Sequence, residues 1–133
     1  VAFAHGVRKV FFHAGTCGPI NGADAGGVLF EYGGAPRRMY AGVAALTRLL
    51  GVPEASEHLV HRQDTTAYFF RTAGQTLAVA WRTREGVKPL KPVAGVTVHD
   101  IMGNPVEPDA ARLSETPIYL SGARADLIER ALP

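Results

Sequence analysis

The sequence is poor in the features that mark a specialised chain. It holds one cysteine, Cys17, so no disulfide can close within its 133 residues. Its formal charge is only +2, and its Arg and Lys residues are scattered. No basic run is interleaved with aromatics, which argues against a nucleic-acid partner. No apolar stretch approaches the roughly 20 residues of a membrane-spanning helix, so no membrane partner is expected. A basic segment leading into an apolar core and a small-residue cleavage site is also missing, so the start does not read as a signal peptide. The glycines between Gly15 and Gly34 form no Gly-x-Gly-x-x-Gly or Gly-Lys-Ser arrangement between a strand and a helix. No phosphate-binding cofactor loop is therefore expected, and no other cofactor is implied.

What is present is an ordinary globular composition, 47% apolar and 20% charged, with a marked change of texture along the chain. The opening "VAFAHG" reads as the last turn of a helix capped at Gly6, with Val7 folding back on the cap. Only five residues precede that cap, so a helix cut short upstream is the expectation. "RKVFFH", residues 8 to 13, then reads as a strand whose "VFF" centre is apolar without alternation, the pattern of a strand buried on both faces of a parallel sheet. A Gly-rich stretch from Ala14 to Ala35 follows, long enough to suggest a functional loop. Within it "GVLFEY" fits a short strand or a helical turn equally. "PRRMYAGVAALTRLLG" is the clearest helix, with Pro36 suited to its first position and Gly51 and Pro53 ending it. Met39, Val43, Leu46 and Leu50 make one apolar stripe along it.

Beyond Pro53, "EHLVHR", "TAYFFRT", "TLAVAWR", "GVTVHDI" and "TPIYL" are short β-branched and aromatic runs separated by turn residues. In "TLAVAW", Leu77, Val79 and Trp81 share one face, and Ala78 and Ala80 share the other. This predicts an antiparallel sandwich over residues 53–133, with "ADLIERAL" as a last short helix. "HDIMGNP" reads as a hairpin turned at Gly103-Asn104 and ended by Pro105, with Asp100 accepting hydrogen bonds in the turn.

"GVRKVFFHAG", "GGVLFEYGGAPRRMYAGVAALTRLLG", "VTVHDIMGNPVEP" and "ETPIYLSG" together resemble the carboxyl-terminal end of a retaining (β/α)8-barrel glycoside hydrolase. The resemblance covers nearly the whole chain, as an order of elements with two moderately specific phrases. It implies an α+β fragment: residues 1–52 are the last strand, loop and helix of a truncated TIM barrel, and 53–133 are a β-sandwich. Enzymes of this clan use two glutamates at the ends of the fourth and seventh barrel strands. Both would then lie upstream of Val1, no catalytic residue would remain here, and the fragment alone would be inactive. The partners so implied are a carbohydrate substrate and the missing amino-terminal barrel of the same polypeptide.

Working residues of such barrels stand at the carboxyl-terminal ends of the strands, the place His13 takes. Asn21 and Cys17 follow on the loop bordering the pocket, and these three are the candidate substrate-binding residues. An imidazole or an amide suits a sugar hydroxyl because each donates and accepts in one plane. On local chemistry alone, His13 bonds a loop carbonyl, Asn21 caps its Asn-Gly turn, and Cys17 is a small buried apolar residue. His58 and His61 lie three apart and so on opposite faces of a strand, which argues against a shared metal ion. The alternative function is a non-catalytic carbohydrate-binding or structural sandwich, with Trp81 and Tyr68 as a stacking surface in place of core residues.

Overall fold

The computed structural model describes residues 1–11, 29–30 and 34–133, apart from the side chains at 57 and 58. The fold is α+β and mostly antiparallel. Three long strands, β1 (Ala55–Arg62), β2 (Thr65–Thr72) and β3 (Gln75–Arg82), run as a meander. The remaining strands are short: β4 (Lys88–Pro89), β5 (Thr97–His99), β6 (Pro105–Val106), β7 (Arg112–Leu113) and β8 (Ile118–Gly122). One sheet has the order β1-β2-β3-β8-β5-β6, and β4 pairs with β7 in a separate ribbon. The helices are α1 (Arg38–Leu50) and α2 (Ala125–Ala131), preceded by a 3-10 turn over Ala2–His5.

Period-two alternation divides the sheet into two unlike faces. Pairing sets Ala67, Phe69, Ala78, Ala80, Ile118, Leu120 and Val98 on one side. These pack with Leu90 and Leu113 of the ribbon region and with Ile128, Ala131 and Leu132 at α2. The small alanines leave room for a covering layer at close approach, and Phe69, Leu113, Leu120 and Ile128 are fully buried there. The opposite face carries Phe70, Leu77 and Tyr119, which meet Ala45 and Leu50 of α1. Tyr68 and Val79 continue that face, and Phe3 and Ala4 of the 3-10 turn pack with the same cluster. This second cluster therefore spans both sides of residue 52 in sequence.

Several local expectations change. The described part of the first predicted strand, Arg8 to Phe11, joins no sheet, with Val10 47% and Phe11 86% exposed. Pairing needs a neighbouring strand about 4.8 Å away, and the described sheet ends at β1. Residues 12 and 13 of that run, and the residues at 14–28 and 31–33 of the Gly-rich stretch, lie outside the described residues. The first turn does end at Gly6 in the left-handed conformation, with Val7 N–H donating to the Ala2 carbonyl. Helix α1 begins two residues after Pro36, which instead bridges Phe30 across an antiparallel contact. Its buried side is Ala45 and Leu50 with Leu46 and Leu49 beside them, while Met39 is exposed. The seam is turned toward small residues because the β5–β6 turn comes up beneath Ala45.

That turn matches its sequence reading in most respects. The Asp100 carboxylate accepts from the backbone N–H of Met102 at 2.9 Å and of Asn104 at 2.8 Å, and from Asn104 Nδ2 at 2.9 Å. Burial opposes ionisation of Asp100, but these donors outweigh it and hold the carboxyl below its ordinary range. Pro105 opens β6 and pairs with His99, so the pairing it was expected to end continues through it to Val106. Arg48 Nη2 donates to the Gly103 carbonyl at 2.8 Å, fastening α1 to the turn.

Two backbone positions yield predictions. Gly103 and Gly95 share φ +81°, but a Cβ on Gly103 would lie 2.9 Å from Ala45 Cβ and from Arg48 Nη2, while one on Gly95 meets nothing within 4 Å. Both alanine variants incur the left-handed cost of about 1–2 kcal/mol. Gly103→Ala is expected to lose clearly more, and equal urea midpoints for the two would show that α1 does not press on the turn. The β2–β3 loop is the two residues Ala73-Gly74, both left-handed at φ 47° and 75°. Asn is preferred over Ala at the first position of such a loop, so Ala73→Asn should raise stability by up to about 1 kcal/mol. A fall in thermal midpoint would contradict that reading.

Candidate functional site

The three candidate substrate-binding residues, His13, Cys17 and Asn21, lie outside the described residues. The structure describes only the two places where their segment joins the rest. On the way to Phe11 the chain passes, at Arg8 and Lys9, beside a largely apolar groove lined also by Phe3, Val7, Val52, Pro53 and Ala55. It is described again at Leu29 and Phe30. There the Leu29 carbonyl accepts from the Arg37 N–H at 2.9 Å, and the Phe30 ring lies 4.9 Å from that of Tyr40 at the head of α1.

The aromatic residues divide between two environments. Phe69 and Phe70 are core, at 0% and 3% exposure. Tyr68 and Trp81 are half-buried and stack on each other at 5.6 Å and 24°, and His5 meets Tyr68 edge-on at 6.0 Å and 72°. They are diagonal neighbours on one sheet face, because Tyr68 pairs with Val79 and Thr66 with Trp81. Stacking takes up one face of each ring, and Tyr68 continues the sheet face on which α1 packs.

Of the two histidines on β1, His61 is 2.9 Å through Nδ1 from Thr66 Oγ1 on the paired strand. The side chain of His58 lies outside what is described. His99 Nδ1 is buried with no hydrogen-bond partner among the described residues.

Sequence reasoning missed the strongest electrostatic feature. Asp64, 8% exposed in the β1–β2 turn, receives Arg82 Nη2 and Nε on one oxygen, with the Nε contact at 3.1 Å. Its other oxygen accepts from Lys88 Nζ at 2.9 Å. The Asp64 carbonyl also accepts from the Thr83 N–H at 2.8 Å, and the Arg82 N–H donates to Ser114 at 2.7 Å. The bonds from Lys88 and then Arg82 lower the Asp64 carboxyl from 3.8 to about 2, against the opposing effect of burial. A carboxyl held that low is a poor proton carrier near neutrality, and both its oxygens are occupied. The trio pins the end of β3 to the β1–β2 turn. One signal was readable in advance: an arginine ending the apolar run "TLAVAW" needs an anion if it is buried.

Asp64 titrates lower in the folded chain than in the unfolded one. Its contribution is therefore complete above about pH 4 and lost as pH falls toward 2. Asp64→Asn should lower the thermal midpoint at pH 7 and flatten the acid limb between pH 4 and 2. An acid limb as steep as that of the parent would remove the trio from the account. Trp81→Ala should lower the midpoint without changing retention on immobilised glycans, and lost retention with an unchanged midpoint would contradict a packing role. A comparison with models of known protein families finds no match, and a comparison with curated proteins finds none either.

Proposed function

We propose that this chain is the carboxyl-terminal part of a glycoside hydrolase that cleaves glycosidic bonds by a retaining, two-carboxylate mechanism. Both carboxylates stand on barrel strands upstream, and the 133-residue chain alone is inactive. The observation that carries the reading is the state of the amino-terminal segment. Its apolar residues Val7, Val10 and Phe11 lie exposed, as does Val52 across the groove, while the sheet's far face is closed by α2 and the β4–β7 ribbon. A run as apolar as "VFF" is best accommodated between neighbouring strands, and a barrel supplies such neighbours. The phrases "GGAPRRMYAG" and "VTVHDIMGNP" support the same reading.

In that setting the upstream barrel carries the chemistry. One carboxylate attacks the anomeric carbon and forms a glycosyl-enzyme. The other protonates the leaving oxygen and then activates the water that releases the sugar, the two groups standing roughly 5 Å apart. This chain contributes the wall of the pocket. His13, at the end of the expected barrel strand, and Asn21, on the expected loop, would hold sugar hydroxyls, with Cys17 as a small residue of the same loop. The carboxylates described at Asp64, Asp100 and Asp126 are each engaged in local pairing with neighbouring side chains.

The test compares two polypeptides on aryl glycosides. The 133-residue chain should release no aglycone. A polypeptide extended upstream through the whole reading frame should release it, with the anomeric configuration retained by NMR. In the extended enzyme His13→Ala should cost about tenfold in kcat/KM, the value of one hydrogen bond to substrate. Turnover by the short chain, or an extended polypeptide inert toward every glycoside tried, would overturn the proposal.

A further inference from the structure

We draw no further inference here: the strongest candidate, the groove between one side of α1 and the β5–β6 turn, with Arg38 at the uncapped helix start and Arg48 in the last turn, carries nothing because beside a helix amino terminus no second observation points to a ligand.

Discussion

Covering β3 on both faces is the constraint on which the rest of the structure depends. The strand pairs with β2 on one side and β8 on the other, so its edges are satisfied and only its faces remain to be closed. One face carries Ala78 and Ala80 and takes a close layer, α2 with the β4–β7 ribbon. The other carries Leu77 and Val79 and takes a bulkier, looser one, α1 with the 3-10 turn. Leaving either layer off would return large apolar side chains to water at about 25 cal/mol per Å². The helix preceding residue 52 is thus part of what keeps the sheet dry, whatever else it also contacts.

Polar contacts then fix how the layers meet. Arg48 reaches the Gly103 carbonyl, and Thr72 Oγ1 donates to the Leu50 carbonyl at 2.8 Å, so the last turn of α1 is fastened at two points, to the β5–β6 turn and to the end of β2. The Asp64 trio performs the equivalent task at the far end of β3. The exposed pairs Arg62–Glu129 and Arg124–Asp126 add little by comparison, since water and salt screen them. In the functional reading, α1 is the element that couples the segment bearing His13, Cys17 and Asn21 to the β-rich part. Its firm attachment would give that segment a fixed base on one side.

The long strands were legible because "TAYFFRT" and "TLAVAW" are β-branched and aromatic runs set between turn residues, and "TLAVAW" alternates bulky residues with alanines. Helix α1 was legible from its punctuation, and Asp100 from the turn chemistry of "HDIMGNP". The two-residue strands β4, β6 and β7 were not, because so short an element has no period. The buried side of α1 was misjudged toward Met39 because large apolar residues dominate a stripe, whereas the contact is made by Ala45 beneath a glycine. The Asp64 trio joins residues 18 and 24 positions apart, and only the β2–β3 register, which pairs Thr65 with Arg82, brings them together. The candidate sugar-binding residues came from resemblance and strand-end logic, and they lie outside the described part of the fold.

The account stands most directly on α1 and the sheet forming one cooperative unit, and native-state hydrogen exchange on the intact chain measures this. Amides of Leu49 and Leu50 should exchange with opening free energies close to those of Phe70 and Leu77, and shift together with them as urea is added. Helix amides that exchange at the rate of free peptide, while β2 and β3 stay protected, would contradict it.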